Sequence, residues 1–548
     1  MNSLLKPSRS CQLSLAGLLM AVMTSLAFSQ TTLRPYLQQM GSQEDVLGMS
    51  VARNGHTFML LSNNTLVVAG PDQILRPPLT HAALTNVKDL AVSPSGEFDD
   101  TLVPIYVATA TGVVKIVYNT EERTLAATSS ATFTYPAGKQ YFAKAITVAP
   151  DNAGTPGAIY LGGQTKPTGS TAADQKNFLI KLNTSLAQQG STREWGVPTA
   201  SGNLTSDGIN SLDCIAADAA GNVYVGGQWP AVYRTDFLNY FELWLRSSTW
   251  SVASLGGLTG QSSTIQTSVK SYYQVFYWWF IPYNTTNQTL AVDAVNRTGY
   301  IAKFNSSLTP AGYSHTTNLV PNYFQWATGQ VGNNISSFSD IRIKDSVYAI
   351  GNWQGTSAYT GETLTGGNSD IQLVKLATSN LALEKKAWVK ATGGSHPGYA
   401  VDIDPDTNGV FVTGVTEDGA NQFYNNGGGV DKTVSGRGLF VAKLNSDLNW
   451  IVDINKSNSP APSAFRRTRL RWNVEAKHAQ VGGTFTAGQL SLGLPSRPAL
   501  VPTGAVAGNV NYYALAGEDG KFVNQINVII RSEFVEGSQI LTRLGDNP

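Results

Sequence analysis

The sequence predicts an all-β protein: a single β-propeller of seven or eight four-stranded blades, with eight favoured, after an N-terminal signal peptide. Three observations predict this fold. A two-strand module recurs along the chain, its copies are evenly spaced, and no helical periodicity is sustained beyond the N-terminal segment. Repeats built from several short strands are typical of a propeller or a solenoid.

The clearest copy of the module is residues 209–229, which we interpret as two strands joined by a turn. An alternating segment leads into the turn at residues 218–222, and Val223, Tyr224 and Val225 follow it. β-Branched and aromatic runs bounded by Asp, Gly and Asn are typical of hairpins. Further copies occupy residues 145–163 and 400–414, and weaker copies occupy residues 90–108 and 341–351.

The spacing of the copies sets the predicted number of blades. Tyr160 and Tyr224 are 64 residues apart, and Tyr348 and Phe411 are 63 residues apart. Between Tyr224 and Tyr348 lie 124 residues, twice 62, which predicts one degenerate unit with a strand at residues 275–280.

A second module follows most copies of the first, at residues 178–183, 300–305, 371–376 and 439–445. The complete unit resembles the bacterial SBBP-type β-propeller repeat, over about residues 46–530. The Asp/Gly/Asn turn of that repeat is missing from residues 268–305. The resemblance implies the fold and implies little about chemistry.

In order, the sequence contains eight blade-like units, which are residues 46–75, 87–135, 142–195, 209–255, 268–318, 335–392, 396–454 and 469–530. The alternative is that the short first unit supplies strands to the last blade. We expect the termini to pair and close the ring, because closure removes free sheet edges. The predicted domains are a signal peptide (1–30), a lead-in (31–45), the propeller (46–530) and a C-terminal tail (531–548).

The N-terminus predicts export. Lys6 and Arg9 precede an apolar run at residues 13–28, and small residues follow. The run is about 16 residues long, short of the roughly 20 that a spanning helix needs. Cys11 precedes the run and is misplaced for a lipoprotein cysteine. We therefore expect a secreted, extracellular or cell-surface protein without an integral membrane segment in the mature chain, with the periplasm as the alternative location.

Composition narrows the classes of partner. The net charge is +1 and charged residues make up 14% of the chain, so no electrostatic field favours nucleic acid or anionic lipid. After cleavage Cys214 is the single cysteine, so no internal disulfide can form. Its place in an alternating strand predicts a buried, inert thiol.

Few residues indicate chemistry. The five histidines are His56, His81, His315, His396 and His478, and none are spaced as a metal pair. Hydrolase, phosphate-loop and Cys-x-x-Cys motifs are absent from the sequence. Residues 404–409 resemble the start of a calcium loop, but Val415 stands where a bidentate Glu is expected. We interpret this segment as an inter-strand turn. No catalytic, cofactor-binding or metal-binding residue and no cofactor are predicted.

Aromatic residues cluster at Tyr272, Tyr273, Phe276, Tyr277, Trp278, Trp279, Phe280 and Tyr283, preceded by Tyr240, Phe241, Trp244 and Trp250. Such a cluster could stack on a sugar or pack against a protein partner, but burial of these side chains between neighbouring blades is the favoured interpretation. Lys181, Lys303, Lys375 and Lys443 recur in register, which favours a repeat-imposed, solvent-facing or snorkelling position over a basic binding stripe. Gly/Asn-rich tracts at residues 167–176, 355–370 and 418–438 are predicted loops at one end of the ring.

The favoured function is a non-catalytic binding or scaffolding role at or outside the cell surface, with a protein or glycan partner on the loop face and no nucleic acid. The alternative is a propeller enzyme, for example a quinoprotein-type dehydrogenase or a polysaccharide lyase, with its site in the central channel. If the protein is an enzyme, charged residues from three or more blades should line the channel and have perturbed pKa values. If it is a scaffold, exposed aromatic residues and long loops should lie at one face of the ring.

The first testable prediction concerns the mature N-terminus. Because the small residues before the cleavage site end near Gln30, sequencing of the exported protein should begin between Phe28 and Thr32. An intact Met1 in a mature membrane fraction would contradict export by cleavage.

Overall fold

The computed structural model describes residues 30–35, 37–39, 44–94, 101–152, 157–169, 175–196, 211–240, 243–252, 274–278, 281–285, 291–315, 323–324, 336–357, 359–364, 369–391, 397–451, 454–457, 465–485, 510–522, 525–535 and 539–546. Residues 1–29 of the predicted signal peptide lie outside these ranges, so the prediction of a signal peptide stays a prediction. No helix within these ranges is long and apolar enough to cross a bilayer.

Within the described ranges, seven sheets share one antiparallel order of inner, second, third and outer strand. Blade one is Val46–Val51, Thr57–Leu61, Thr65–Ala69 and Leu79–Thr80. Blade two is Val87–Val92, Leu102–Thr109, Gly112–Asn119 and Thr124–Thr134. Blade three is Lys139–Val148, Ile159–Pro167, Lys176–Leu182 and Arg193–Trp195. Blade four is Ser211–Ala217, Val223–Tyr240, Ala291–Phe304 and Pro310–His315.

The remaining blades follow the same order. Blade five is Ser337–Ile343, Ser346–Trp353, Asp370–Ala377 and Leu383–Ala391. Blade six is Gly398–Ile403, Val410–Thr416, Gly438–Leu444 and Asn455–Lys456. Blade seven is Phe465–Asn473, His478–Phe485, Val510–Ala516 and Leu37–Gln39. Each inner strand contacts the next, and blade seven contacts blade one, so the blades form a ring.

The other strands are additions to this ring. Leu243–Val252 and Tyr323–Phe324 extend blade four, and Gln274–Trp278 pairs with Ile281–Thr285. Gly355–Thr356 pairs with Thr363–Leu364, and Ala420–Tyr424 with Val430–Ser435 extends blade five. Gln30–Pro35, Gln525–Val535 and Gln539–Asp546 form a separate three-stranded sheet.

The ring closes through its N-terminal strand, as predicted. Leu37–Gln39 pairs antiparallel with Val510–Ala516, with Leu37 opposite Ala514. The segment that we predicted as a lead-in therefore supplies the outer strand of the last blade. This pairing joins two segments that are far apart in sequence and covers an edge that would otherwise be exposed.

The prediction of an all-β propeller is confirmed, but the predicted eight blades are wrong, since the described strands form seven. The predicted units at residues 209–255 and 268–318 belong to one blade, in which Tyr224 lies opposite Lys303. The intervening residues are an insertion between the second and third strands. Its length is close to one repeat, which explains the error in the count.

The predicted degenerate strand at residues 275–280 belongs to that insertion. The observed strand Gln274–Trp278 forms a local hairpin with Ile281–Thr285 and is not part of a blade. Of the aromatic cluster, Tyr272, Tyr273, Trp279, Phe280 and Phe241 lie outside the described residues. The predicted burial of this cluster between blades therefore stays a prediction.

The recurrent lysines join neighbouring blades. In blades two to six each lies across from an aromatic residue of the second strand, with its ammonium 5.2–5.9 Å from the ring centroid. The pairs are Lys115 with Tyr106, Lys181 with Tyr160, Lys303 with Tyr224, Lys375 with Tyr348, and Lys443 with Phe411.

The same ammonium groups donate hydrogen bonds to carbonyl oxygens in the turn that follows the third strand of the next blade. Lys181 donates to Ser306 at 2.9 Å and Lys303 donates to Thr378 at 2.7 Å. Lys115, Lys375 and Lys443 make the equivalent contact with Thr184, Ser446 and Glu518. The position is imposed by the repeat, and its role is to bridge blades.

The predicted loop at residues 418–438 is instead a docked hairpin. Ala420–Tyr424 pairs with Leu383–Ala391, the outer strand of blade five, although the hairpin belongs to blade six. Phe423 is fully buried against Phe440 and Trp450, with ring centroids 5.4 and 5.0 Å away. Deletion of this segment would uncover the apolar faces beneath it, so we expect the deletion to lower the stability of the protein.

The second prediction tests this docking. Phe423→Ala should lower the free energy of unfolding by about 3–5 kcal/mol, because it leaves a cavity beside two buried rings. Chemical denaturation measures this change. Val430→Ala on the same hairpin is the matched control, since Val430 is 46% exposed and should cost at most about 0.5 kcal/mol. Equal effects of the two substitutions would show that the hairpin is not docked.

Candidate functional site

The inner strands of the blades surround a central cavity of about 430 Å³. In each blade of the described ring, the inner strand carries a β-bulge at an equivalent place, for example between Val87 and Asp89 and between Phe338 and Asp340. A bulge bends a strand and changes the direction of the side chains that follow it. The repeated bulge therefore gives all blades a common pair of channel-lining positions.

Charged side chains from six blades line the cavity: Arg53, Asp89, Asp213, Asp340, Arg342, Lys344, Asp402, Arg469 and Arg471. Their distribution is uneven. At the position paired with the second-strand aromatic, blades two to four carry Ala91, Thr147 and Ala216. Blades five to seven carry Arg342, Asp402 and Arg471 at the equivalent position. At this position the small residues and the charged residues therefore lie on opposite sides of the cavity, although Asp89 and Asp213 also line it from blades two and four.

The channel carboxylates accept hydrogen bonds from the backbone of the next blade. Asp89 accepts from the Ile146 amide at 3.0 Å, and Asp402 accepts from the Trp472 amide at 2.8 Å. Asp340 accepts from the Val401 amide at 3.3 Å. These bonds satisfy donors at the bulged inner strands, where ladder pairing is interrupted.

The arginines of blade seven continue the pattern across the point of closure. Arg471 Nε donates to the Met49 carbonyl at 3.0 Å, and an Arg469 amino group donates to the Leu47 carbonyl at 3.2 Å. The charged residues of the channel thus also connect neighbouring blades through hydrogen bonds, which gives a structural reason for their presence.

Asp340 is the centre of an ion-pair network. It lies 3.2 Å from Arg342 and 3.1 Å from Arg471, and Arg342 also lies 3.3 Å from Asp402. Burial alone would raise the pKa of Asp340, but Arg342 and Arg471 outweigh it and hold the pKa below its ordinary value. Burial and the neighbouring Arg342 lower the pKa of Arg471.

Asp89 has a different environment. Burial raises its pKa, and the opposing effects of Arg469 and two backbone amides do not compensate. Its carboxylate fills the space beside Gly48 of blade one, where a Cβ would lie 2.3 Å from Asp89 Oδ1. Asp89 and Arg469 form no ion pair within 4 Å with any described residue. The two groups therefore retain charge that the framework only partly neutralises.

Cys214 lies at the wall of the channel and is buried, as predicted. Its Sγ is 3.7 Å from the Phe338 carbonyl oxygen. Burial, followed by the charges of Asp340 and Asp213, raises the pKa of the thiol well above its ordinary value. Since the thiolate is the nucleophilic form, this cysteine is poorly suited to covalent catalysis.

The calcium-like segment at residues 404–409 is an inter-strand turn of blade six whose oxygens already contact lysines. Lys344 of blade five contacts the Pro405 carbonyl and Asn408 Oδ1, and Lys477 of blade seven contacts Asp406. Ammonium groups thus stand where a cation would bind. Among the described residues no cluster of three or more His, Cys, Asp or Glu side chains is arranged to hold a metal ion.

The described histidines give no further site. His56 packs against Phe58 and Tyr118, with ring centroids 6.5 and 5.7 Å away, and burial lowers its pKa to about 4. His396 and the side chain of His315 lie outside the described residues. The prediction that the chain has no catalytic residue stays a prediction.

The loop prediction is confirmed in its topology. The tracts at residues 167–176, 355–370 and 418–438 all connect a second strand to a third strand, as does the insertion of blade four. Because second strands run in one direction around the ring, these connections emerge from one face, which we call the insertion face. The opposite face carries the short turns that follow the inner strands, and we call it the turn face.

Fold and site define a seven-bladed β-propeller with a charged central channel. A scan against protein-family models found no match, and a search of the curated proteins found none either. The resemblance to the SBBP-type repeat is therefore not confirmed.

Among solved structures, the chain is similar to the Dos1 propeller, with 10% sequence identity and a TM-score of 0.38 over 87% of this chain and 80% of that chain. It is also similar to the Cps50 (Swd1) β-propeller domain of Myceliophteria thermophila, with 8% identity and a TM-score of 0.38 over 87% of this chain and 99% of that domain. Similarities this distant carry no argument about function.

The third prediction concerns the two contrasting aspartates. Asp340→Asn should lower the free energy of unfolding by about 3 kcal/mol or more at pH 7, because it leaves buried arginines without their partner. The lowered pKa of Asp340 stabilises the fold above its ordinary value of 3.8, so this deficit should shrink as pH falls below that value.

Asp89→Asn is the matched comparison and should have the opposite pH dependence. The raised pKa of Asp89 destabilises the native protein increasingly as pH rises above 3.8, so the variant should gain stability relative to the native chain over that range. Urea denaturation between about pH 2 and pH 8 measures both slopes, that of Asp340 below pH 3.8 and that of Asp89 above it. Parallel pH profiles for the two variants would contradict these assignments.

Proposed function

We propose that this chain is an exported, non-catalytic binding or scaffolding protein that acts at or outside the cell surface. Its partner is a protein or a glycan bound at the insertion face. We also propose that its repeat unit is related to the SBBP-type propeller repeat, as the sequence pattern indicates.

The observation that carries this proposal is the one-sided placement of the inserted segments. The longest connections within the described blades join second strands to third strands, in blades four to seven, whereas the turns after the inner strands are no longer than the ten residues between Val148 and Ile159. A rigid ring that presents variable segments from one face is an arrangement suited to binding, since the framework tolerates changes in those segments. Export is supported by the basic start and apolar run of the N-terminal segment.

The enzyme alternative deserves comparison because the channel carries charged groups from several blades with shifted pKa values. The carboxylates of Asp89, Asp340 and Asp402 each accept an amide hydrogen bond from the adjacent blade. These contacts account for the charges as parts of the framework. The scaffold proposal is favoured because it needs no reacting group beyond those contacts.

The fourth prediction replaces residues 229–298 of blade four with an Asn-Gly turn. Gln228 lies opposite Gly299 in the antiparallel pair, so a two-residue turn can close the shortened hairpin. The midpoint of thermal unfolding should change by no more than about 4 °C. Retention of the protein on washed intact cells of its source, measured by immunoblot, should fall sharply.

Phe423→Ala is the control for stability, since it weakens a docked hairpin and leaves the blade-four insertion in place. It should lower the unfolding midpoint without abolishing surface retention at a temperature where it is folded. Undiminished retention of the shortened chain, or a native chain found only in the cytoplasm, would refute the proposal.

A further inference from the structure

We infer that the central channel binds a small organic anion, a carboxylate with a compact apolar body, independently of any partner at the insertion face. The inference rests on the charge, the shape and the unpaired groups of the cavity that the inner strands surround.

The charge of the cavity favours an anion. Five cationic side chains and four aspartates line it, which leaves one excess positive charge among the described lining residues. The aspartates Asp340 and Asp402 are held in ion pairs with Arg342 and accept amide hydrogen bonds. The negative charges of these two carboxylates are therefore neutralised locally, whereas the positive charge of Arg469 is in no ion pair within 4 Å in the described part of the chain.

Arg469 is the anchor for the carboxylate. Among the described residues, the side chain of Arg469 donates one hydrogen bond, to the Leu47 carbonyl oxygen at 3.2 Å. A guanidinium presents five N–H donors in a planar fork, so donors remain for a carboxylate, which matches that geometry. Arg471 lies two residues along the same inner strand and also lines the cavity, but its guanidinium is paired with Asp340 at 3.1 Å, so Arg469 is the anchor of the two.

The shape of the cavity favours an apolar body on that anion. Ala91 and Ala216 occupy the position that carries Arg342 and Arg471 on the other side of the ring. Ala145 also lines this wall. The volume of about 430 Å³ lies within the range of about 300–1,000 Å³ that is typical of small-molecule sites. The methyl groups of these alanines can contact an apolar body while a guanidinium on the opposite side binds its anionic end, and Asp89 and Asp213 line the cavity beside the alanines.

Access is from the turn face. The lining includes Pro94, Pro150 and Pro405, which follow the inner strands of blades two, three and six. The insertion face is at the opposite end of these strands, so a ligand in the channel and a partner at the insertion face need not compete.

The experiment titrates the full mature chain with butyrate, butylammonium and inorganic phosphate, and measures binding by calorimetry and by saturation-transfer NMR. Butyrate should bind saturably with a dissociation constant of about 1–10 mM, as expected for so small a ligand. Butylammonium has the same apolar body with the opposite charge and should not bind. Phosphate has no apolar body and should bind at least about tenfold more weakly than butyrate.

Two variants locate the site. Arg469→Gln should weaken butyrate binding at least about tenfold, because it removes a charge-assisted hydrogen bond. Ala216→Leu should abolish binding by filling the space beside the small residues while leaving every charge in place. Arg437→Gln is the control, since Arg437 pairs with Glu417 and Asp418 at the surface hairpin and should leave the affinity unchanged.

If Arg469→Gln does not fold, the selectivity of the native chain and the effect of Ala216→Leu still decide the matter. The inference is overturned if butyrate does not saturate, if butylammonium or phosphate binds as well, or if folded Ala216→Leu binds butyrate with native affinity.

Discussion

The fold depends on the joints between blades, because each blade buries both faces against its neighbours and gains little stability alone. Five of the contacts between neighbouring blades are made in the same way. A lysine lies over an aromatic ring of its own blade and donates a hydrogen bond to a turn carbonyl oxygen of the next blade. The joint that closes the ring replaces the lysine with neutral groups, since Gln480 and Tyr513 of blade seven both contact Gln73 in the corresponding turn of blade one. Blades one and two are joined by Phe58 and Tyr118, whose ring centroids are 5.4 Å apart.

Sequence reasoning predicted the elements that a local pattern determines. The Val-Tyr-Val strands and the Asp/Gly/Asn turns have local signatures, and Val223–Tyr240 begins at the predicted residue. The number of blades has no local signature. An insertion close to one repeat in length preserves the spacing from Tyr224 to Tyr348 and mimics a missing unit, and the register of Tyr224 with Lys303 is needed to show that these segments share a blade.

The charged residues that line the channel were not predicted because they are distant in sequence and each looks ordinary in its own strand. Asp89 and Asp340 stand where a polar residue in an alternating strand suggests solvent, and the bulge before each one is not visible in the pattern. The docked hairpin was missed for a related reason, since Gly and Asn around it indicate a loop and conceal the alternation that buries Asn421 and Phe423.

The channel combines two requirements that act on the same residues. The charged side chains connect blades, so a change at Asp340 or Arg471 alters the ring as well as the cavity. Ala91 and Ala216 carry no polar side-chain group, but each packs in a buried cluster with residues of the next blade, Ala91 with blade three and Ala216 with blade five. A larger side chain at either position would therefore change the packing between blades together with the shape of the cavity. The lining of the channel is constrained by the closure of the ring on every side, because the residues that shape the cavity are also the residues that hold neighbouring blades together.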